Sequence, residues 1–523
     1  MRPPQAESTT SPRSGWVLLL LLLVMATAVR LPGLFGRSIW YDEAISLLIA
    51  SDQAIPDWPR EPVPAGEVKS FLQGTSSFSK VLEDVRRTDV HPALYYYGLS
   101  LWKSTFGHSI ETARLFSLVA SLLALLAFHA WVRASGIRHP WGLSLAFALS
   151  TGAVHGGHEA RAYALASWLL LMGTYLALRA SQRARASGDH VFLLATGAAF
   201  LTALTFHINY LTLFSTAAVL GWLTIQLWPR ARGALFSALA MALLVGLSAL
   251  PTLLPQLDAR PEQLSGFSSF GHSLRNLLLM SLEMVGIPAP AESGPRQFLA
   301  IAIFLGAIAL TLFEVRRDSD RQEGAWSLVL ALALAPLAGL LLLDLAFDKQ
   351  LHVSRYLTFA GPGLVILVAY GMLEWSLRPS RRWLGRTLFL GLLALQFSNL
   401  NWAGFALCPN HQFGGSARTT AARIAQTSAP SKVVTVALGA GRGGPGSILA
   451  ELDPLTPVVF FDLRTDFDQL LRDVEPYDDL WVYFSVDSVT LEAENRWLKS
   501  LEQSGRYGGL FRDEISLHLR KTP

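Results

Sequence analysis

Cysteine and charged residues are scarce in this chain. Its 523 residues include a single cysteine, Cys408, so no disulfide can form within the chain and cysteine usage does not reveal the redox compartment. Charged residues make up 16% of the chain, whereas an ordinary soluble domain contains about a quarter. Because 51% of the residues are hydrophobic, the composition excludes an ordinary soluble protein and indicates that a lipid bilayer surrounds most of the chain.

The net charge of +4 does not indicate binding to nucleic acid. The arginines are not spread evenly along the chain. They form short clusters between apolar runs, as they do in the cytoplasmic loops of membrane proteins. We therefore expect membrane lipid, and no nucleic acid, among the partners of this protein.

Apolar runs predict about eleven membrane-spanning helices, each long enough to cross a hydrocarbon core of about 30 Å. They lie near residues 15–33, 112–132, 140–156, 162–180, 191–206, 208–228, 233–255, 298–315, 325–346, 357–377 and 384–403. The first run contains Ala26-Thr27-Ala28, which resembles a signal-peptidase site. Apolar residues resume at Leu31, however, and this favours an uncleaved anchor.

The run at 91–106 is also apolar, but it is short, rich in aromatic residues and contains Lys103. These features are typical of a helix that lies along the membrane surface. If this helix stays outside, every basic cluster lies on the cytoplasmic side, as the positive-inside rule requires. The clusters comprise Arg133 and Arg138; Arg179, Arg183 and Arg185; Arg230 and Arg232; Arg316, Arg317 and Arg321; and Arg378, Arg381, Arg382 and Arg386. The chain is therefore predicted to be a multi-pass protein of the cell (inner or plasma) membrane with a cytoplasmic N-terminus and outer loops at 34–111 and 256–297.

From residue 411 the chain becomes polar, and short apolar runs alternate with helical patterns. The pattern predicts strands at 432–438, 457–462, 480–485 and 515–519, and helices at 418–426, 467–474 and 491–503. Such alternation indicates a small sheet covered by helices. The predicted fold class is mainly α: a polytopic helical membrane domain over 1–405, with interfacial helices in the outer loop 34–111, and an extracytoplasmic α/β domain over 411–523.

A glycine-rich segment at 439–444, with Asp462 about twenty residues further on, matches the spacing of a dinucleotide-binding fingerprint. Pro445 and Gly446 are a poor start for the helix that should follow, and nicotinamide cofactors are scarce outside the cell membrane. We therefore interpret the segment as a loop. No cofactor is predicted with certainty, and a divalent cation remains open.

Two adjacent carboxylates, Asp42 and Glu43, follow the first span in the predicted outer loop. A carboxylate pair at this place could accept a proton from a sugar hydroxyl or bind a divalent cation. The same two residues also suit the first turn of a helix, where the helix dipole favours acidic side chains. Their position alone does not decide between these alternatives.

A second group of candidates lies at the outer membrane boundary. His91 begins the interfacial segment, where an aromatic belt explains the nearby tyrosines but not the histidine. Ionisable groups near the membrane interior usually indicate function, and they gather at His155, His158, Glu159 and Arg161, next to Tyr163. The two histidines suggest a metal, but the glycines between them disrupt the helical spacing, so no metal site is predicted. Mutual neutralisation of Glu159 and Arg161 is the simpler alternative.

His207 and Asn209 interrupt the next pair of spans, and Lys349 and Arg355 precede a late span. A guanidinium presents two parallel donors to a phosphate, so Arg355 and Lys349 are candidate ligands for a phosphate or diphosphate at the membrane surface. Lys349 would equally suit a lysine that extends to the lipid headgroups. All of these segments lie on one face of the membrane in the predicted topology.

Five short segments occur in an order and spacing that resembles the GT-C superfamily of membrane glycosyltransferases, in the branch of the protein O-mannosyltransferases and the lipid A aminoarabinose transferase. They are Trp40-Tyr41-Asp42-Glu43-Ala44; His91-Pro92-Ala93-Leu94-Tyr95-Tyr96; Phe106-Gly107 followed by Ala113-Arg114-Leu115; Glu159-Ala160-Arg161-Ala162-Tyr163-Ala164-Leu165; and Arg355-Tyr356 leading to Pro362. The family commonly has a second proline where this chain has Ala93.

The resemblance implies that a sugar moves from a polyprenyl phosphate donor to an acceptor at the outer face of the membrane. The acceptor would be a glycolipid, a cell-envelope glycan or a protein. It further implies that Asp42 is the general base, that Glu43 orients Asp42 or the donor, and that Arg355 and, more weakly, Tyr356 hold the carrier phosphate. His91 and Glu159 fit positions near the site. Direct displacement would invert the anomeric carbon.

Two other classes of function compete with this interpretation. A transporter would place its charges near the bilayer midplane and would have related halves, whereas these charges gather at one surface. A membrane anchor that presents the C-terminal domain would need only one or two spans. A glycosyltransferase is therefore preferred, with a polytopic transporter of a lipid-linked or anionic substrate as the alternative.

Overall fold

The fold is mainly helical in the computed structural model of the chain. The structure describes residues 12–89, 91–259, 269–289, 294–317, 323–347, 353–400, 411–427, 429–438, 444–461, 467–484, 499, 501, 503–512 and 516–522. Helices account for 74% of these residues, and a small sheet is also present. The predicted fold class is therefore confirmed at this level of detail.

The first nineteen α-helices lie in the part of the chain that was predicted to cross or border the membrane. They are α1 (Pro12–Ala28), α2 (Leu31–Gly36), α3 (Tyr41–Ala50), α4 (Ala65–Lys69), α5 (Phe78–Thr88), α6 (Ala93–Phe106), α7 (Ile110–Ala134), α8 (Pro140–Leu149), α9 (Thr151–Gly156), α10 (Tyr163–Arg185), α11 (Val191–Leu204), α12 (Thr212–Leu227), α13 (Arg232–Leu247), α14 (Leu250–Ala259), α15 (Phe270–Val285), α16 (Pro295–Arg317), α17 (Glu323–Phe347), α18 (Gly361–Leu377) and α19 (Arg382–Asn399).

Several of these helices are long and apolar enough to make the chain a multi-pass membrane protein. Among the described residues, 5 helices meet the length and composition of a membrane span, or up to 6 if the bent pair α13 and α14 forms one span. Four shorter apolar helices of 10–17 residues lie at Pro140–Leu149, Val191–His207, Thr212–Leu227 and Gly361–Leu377. Each of the eleven predicted runs coincides with one or two helices, but the count of eleven spans is not confirmed.

Two of the predicted spans are broken in the structure. The run at 140–156 divides into α8 and α9 because Ser150 between them has an extended backbone (φ −63°, ψ 138°). The run at 233–255 bends by 44° between α13 and α14. The short segments beyond the two breaks contribute to the site described below, because α9 carries His155 and Gln256 of α14 donates to the His91 carbonyl.

Helix α6 is the segment that was predicted to lie along the membrane surface. It is too short to be among the candidate spans. Lys103 does not extend towards headgroups, because it is fully buried and its Nζ donates hydrogen bonds to Ser51 Oγ (2.6 Å) and the Leu72 carbonyl (3.1 Å). The lysine therefore connects α6 to the outer loop that contains α3 and α4.

The C-terminal part forms a mixed sheet covered by three helices. The helices are α20 (His411–Thr427), α21 (Gly444–Glu451) and α22 (Phe467–Val474), and the strands are β1 (Val63–Pro64), β2 (Val433–Leu438), β3 (Pro457–Phe461), β4 (Asp479–Phe484), β5 (Tyr507–Arg512) and β6 (Ser516–Lys521). The strand order is β1-β3-β2-β4-β6-β5, with β3, β2 and β4 parallel and the others antiparallel to their neighbours.

The sheet departs from the sequence prediction at three points. β1 comes from the first outer loop and pairs with β3, a long-range pairing that no local pattern indicates. β5 was not predicted. Pro445 and Gly446 were judged a poor start for a helix, but α21 begins at Gly444 with the proline in its first turn, where a missing N–H is tolerated. Residues 439–443, Asp462 and most of the predicted helix at 491–503 lie outside the described residues.

Candidate active site

Asp42 lies in the first turn of α3, where its carboxylate contacts two guanidinium groups. Asp42 Oδ2 is 2.9 Å from a nitrogen of Arg355 and 3.5 Å from a nitrogen of Arg161. The side chain of Asp42 is 18% exposed and that of Arg355 is 13% exposed. Both side chains of this ion pair are therefore mostly covered but keep some contact with the surroundings.

Glu43 is the next residue, and its surroundings are closed. Its carboxylate is fully buried and accepts two hydrogen bonds from the Arg114 guanidinium, each of 2.7 Å, in a bidentate pair. The backbone N–H of Ala160 donates a further bond of 3.0 Å to Glu43 Oε1. Arg114 also donates to the carbonyls of Leu34 and Arg37. Glu43 therefore joins α3 to α7 and to the segment before α10.

Arg161 also holds the start of α3, through contacts with Asp42 and Ser46. One of its nitrogens donates to the Asp42 carbonyl and to Ser46 Oγ, both at 3.0 Å. The other terminal nitrogen lies near Asp42 Oδ2 and 3.4 Å from His91 Nε2. The guanidinium therefore positions both the backbone and the side chain of Asp42, and it brings His91 to the same site.

His91 is oriented by a buried carboxylate. Its Nδ1 lies 3.0 Å from Asp89 Oδ1, and the Tyr96 hydroxyl donates a short hydrogen bond to the other oxygen of Asp89. Burial raises the pKa of the Asp89 carboxyl, but His91, Arg161 and the Tyr96 hydroxyl outweigh this effect and hold that pKa well below its usual range. Asp89 is therefore anionic in the folded protein and fixes the ring of His91.

Arg355 stands in a short 3₁₀ helix, Ser354–Leu357, immediately before α18. Its guanidinium carbon lies 4.9 Å from the centre of the Trp40 ring and 5.4 Å from that of Tyr356, in the range of cation–π contacts. The neighbouring Ser354 hydroxyl donates a short hydrogen bond to Glu283 of α15. The rings of Trp40 and Tyr356 and the hydrogen bond of Ser354 therefore hold the Arg355 guanidinium beside Asp42.

His155, His158 and Glu159 form a buried cluster that could hold a metal ion, with ligand atoms all within 4.8 Å of one another. His155 Nε2 lies 3.1 Å from a Glu159 oxygen. The Arg37 guanidinium, however, lies 2.8 Å from His158 Nε2 and 3.3 Å from the other Glu159 oxygen. Because a cation would have to displace this arginine, the donor set fits an ion-pair network better than a metal, and no chemical step is assigned to a metal here.

The remaining candidates divide into near and distant residues. Tyr163 begins α10 with its ring 6.4 Å from that of Phe359, centre to centre, close to the Arg355 segment. His207 lies 2.8 Å from the Val245 carbonyl, and the Asn209 side chain accepts from the backbone N–H of Leu211, so both stabilise the connection between α11 and α12 and do not contact Asp42. Lys349 lies outside the described residues.

No protein family and no curated protein sequence matches the chain. Among solved structures, ArnT from Cupriavidus metallidurans in the apo state matches with a TM-score of 0.56 at 12% identity, over 97% of this chain and 98% of that chain. The same protein bound to undecaprenyl phosphate matches with a TM-score of 0.52 at 14% identity, with the same coverage. The archaeal oligosaccharyltransferase AglB from Archaeoglobus fulgidus, in complex with an inhibitory peptide and a dolichol-phosphate, matches with a TM-score of 0.44 at 11% identity, over 96% of this chain and 73% of that chain. ArnT, a lipid A aminoarabinose transferase, belongs to the GT-C superfamily.

This chain has the GT-C fold. At identities this low the likeness concerns the fold, and the function has to be argued from the residues of the site.

Within the GT-C fold of this chain, the structure adds three residues that sequence reasoning had not placed in the site. Arg114 stands in an apolar helix, and a charge in such a helix is costly enough to signal a buried partner. Asp89 lies two residues before a predicted site histidine, which is a local signal. Arg37 precedes the carboxylate pair, but only the fold shows that it contacts residues 158 and 159.

Proposed function

We propose that this protein is a glycosyltransferase that moves a sugar from a polyprenyl phosphate donor to an acceptor at the extracytoplasmic face of the membrane. The observation that carries the proposal is the contact of 2.9 Å between Asp42 and Arg355 in a partly exposed position. One group is a base and the other is a phosphate ligand, and such a reaction needs both within a few ångströms of one sugar.

Arg355 is the residue best suited to hold the donor phosphate. Its guanidinium rests on the Trp40 ring and points a donor edge at the Asp42 carboxylate. The donor phosphate is a diester that carries one negative charge, as the carboxylate does, and its two free oxygens accept the same pair of donors. When a donor binds, its phosphate takes the place of Asp42 at Arg355, and the carboxylate is left to the acceptor.

The chemical step follows from this exchange. The acceptor hydroxyl oxygen attacks the anomeric carbon while the bond from that carbon to the phosphate oxygen breaks. The hydroxyl proton passes to Asp42, and the leaving group departs as polyprenyl phosphate, stabilised by Arg355. Because attack and departure occur on opposite faces of the sugar, the reaction inverts the anomeric configuration. Arg161 and His91 orient Asp42 from the opposite side.

The position of the site in the bundle supports the predicted orientation. Arg114 lies near the start of α7 and contacts Glu43, whereas Arg138 follows the other end of that helix and pairs with Glu374. A helix of 25 residues is roughly 37 Å long, so the two groups lie at opposite ends of the bundle. At the Arg138 end, Arg378 of another predicted cytoplasmic loop pairs with Glu314, and Gln182 donates to the Ala134 carbonyl. By the positive-inside rule we therefore propose that this end faces the cytoplasm and that the site and the C-terminal domain lie outside.

A transfer assay tests the proposal. Membranes containing the wild-type protein, Asp42→Asn, Arg355→Ala or the control Arg138→Ala, at matched expression, receive a panel of radiolabelled polyprenyl phosphate sugars. We expect Asp42→Asn to lower the transfer rate by about 10²- to 10⁴-fold, the usual contribution of a general base. We expect Arg355→Ala to weaken transfer mainly through donor binding, and Arg138→Ala to have no effect.

Either of two results would contradict the proposal. The first is that no donor in the panel is consumed by the wild-type protein. The second is that Asp42→Asn transfers sugar as fast as the wild type does, which would remove the base. A product with the anomeric configuration of the donor would contradict the single displacement but not sugar transfer itself.

A further inference from the structure

Backbone hydrogen bonds join the first predicted outer loop, residues 34–111, to the C-terminal domain. β1 of this loop is the edge strand of the C-terminal sheet and pairs with β3. On either side of the strand, the N–H of Phe460 donates to the Pro59 carbonyl (3.1 Å) and the N–H of Ala65 donates to the Thr456 carbonyl (2.9 Å). Main-chain pairing of this kind fixes register as well as contact. The loop therefore cannot move independently of the domain.

Apolar side chains of the same loop complete the core of the domain. The Trp58 ring stacks on that of Phe460, with centres 4.7 Å apart and planes 20° from parallel. Ala65 and Val68 are buried in one cluster with Ile448 of α21. Burying large aromatic and aliphatic side chains stabilises such a junction, so the loop and domain form one packed unit.

Helix α21 of the domain packs directly on α3, the helix that carries Asp42 in its first turn. A Cβ placed on Gly446 would lie 2.8 Å from the Cβ of Ala44, closer than side chains tolerate. Ala44 is fully buried and stands two residues after Asp42. The two helices can approach this closely only because residue 446 lacks a side chain.

Two polar contacts flank this close approach. Lys69 Nζ donates to the carbonyl of Leu452, just beyond α21, at 2.5 Å. Arg418 of α20 pairs with Glu451 at 2.9 Å and donates a short hydrogen bond to the carbonyl of Gly36, at the end of α2. The domain thus contacts the chain on both sides of Asp42.

We propose that the C-terminal domain fixes the position of α3, and with it the Asp42 carboxylate, through the contact of Gly446 with Ala44. α3 has only 10 residues, and a helix that short is not stable without packing. A displacement of about 1 Å at a reacting group is enough to lower a rate by about 100-fold. Gly446 is in this sense a positioning residue, and its effect on transfer rests on the function proposed above.

The test compares Gly446→Ala with Gly508→Ala in the full-length protein. Gly508 is in the same sheet domain, but a Cβ there would meet only Thr522 Cγ2 at an ordinary 3.7 Å. We expect Gly446→Ala to lower kcat by about 10- to 100-fold, to leave the Kd for undecaprenyl phosphate within about twofold, and to accelerate hydrogen exchange at the amides of α3. Gly508→Ala should change none of these quantities.

A second substitution separates positioning from general damage. Ala44→Gly removes the methyl group that the new Cβ would strike, so Gly446→Ala with Ala44→Gly should recover kcat and slow exchange in α3 relative to Gly446→Ala alone. If Gly446→Ala does not fold, Lys69→Met removes the bond to Leu452 and the attraction to Glu451 and Asp453, and it should show the same pattern at a smaller amplitude.

The outcomes remain distinguishable if the proposed function is wrong. Hydrogen exchange in α3 reports on the contact without any substrate. If the wild type transfers no sugar and Gly446→Ala still loosens α3, sugar transfer fails while the positioning role stands. Unchanged exchange in α3 in both Gly446→Ala and Lys69→Met would overturn the positioning role, as would a loss of kcat that Ala44→Gly does not restore.

Discussion

Asp42 and Glu43 are neighbours in the chain, but the surroundings of their carboxylates differ. Consecutive residues of a helix point about 100° apart, so the two carboxylates leave α3 in different directions. Glu43 is fully buried and bound by Arg114 and a backbone N–H. Asp42 is partly exposed between Arg161 and Arg355. Glu43 therefore stabilises the packing of α3 against its neighbours, whereas the surroundings of Asp42 are compatible with the role in sugar transfer that we propose for it.

The largest effect should come from opening the buried pair. Glu43→Ala leaves the Arg114 guanidinium buried without its partner, and breaking a buried ion pair in this way costs about 3–5 kcal/mol. We expect a large fall in the melting temperature of the detergent-solubilised protein. Asp42→Ala should lower it less, because Arg355 keeps its contact with the Trp40 ring and the buried Arg161 keeps its hydrogen bonds to the carbonyl of residue 42 and to Ser46.

The control for this prediction removes both partners. Glu43→Leu with Arg114→Met should be more stable than Glu43→Ala alone, because no unpaired charge remains in the interior. If Glu43→Ala melts at the wild-type temperature, the two carboxylates do not differ in the way that their surroundings indicate.

We expect a smaller loss of stability from a substitution of Asp89 than from Glu43→Ala. Asp89→Asn weakens the bonds to His91 and Tyr96 and should cost about 1–3 kcal/mol. The pKa of Asp89 is below its usual range in the folded protein, so its stabilising contribution is present above the unfolded value of about 3.9 and is lost only as the pH falls below it. The stability difference between wild type and variant should therefore shrink as the pH falls below about 4. A difference that does not depend on pH in this acid range would mean that the carboxyl is not held as an anion.

Local pattern was enough for much of the fold. Apolar runs located the membrane helices, and alternation located β2, β3, β4 and β6 within a residue or two. The count of spans was less certain because runs such as 140–156 break at a single residue whose backbone turns away. Local pattern could not reveal β1, since two residues of an outer loop become a strand only by pairing with a partner far along the chain.

The site was predictable as a list of residues but not as an arrangement. Asp42, Arg161, His91 and Arg355 were singled out from the sequence, and the structure brings them together. The different surroundings of Asp42 and Glu43 were not predictable, because they depend on Arg114 of another helix. The roles assigned to these residues stay predictions.

Asp42→Asn removes the negative charge that pairs with Arg355. Without the carboxylate, the guanidinium has one competitor less for a phosphate, and we expect undecaprenyl phosphate to bind about three- to tenfold more tightly, a gain of about 1 kcal/mol. Calorimetric titration in detergent would measure this. Asp52→Asn is the matched control for losing one negative charge, because Asp52 lies in the same outer loop and pairs only loosely with Lys80 at 3.9 Å. Equal affinities in wild type and Asp42→Asn would show that Arg355 does not have to leave Asp42 when the lipid binds.

The smallest effect should appear at the opposite end of the bundle. Glu374 is buried there and pairs with Arg138 at 3.2 Å and with His139 at 3.1 Å. The Arg138 side chain is 51% exposed, and an ion pair with so exposed a partner is worth less than about 1 kcal/mol. Arg138→Ala should therefore shift the melting temperature only slightly, since His139 still contacts the carboxylate. Arg138→Ala would matter as much as Glu43→Ala only if exposure of the basic partner had no influence on the strength of an ion pair. An equal loss of stability in the two variants would therefore remove the physical basis for distinguishing Asp42 from Glu43.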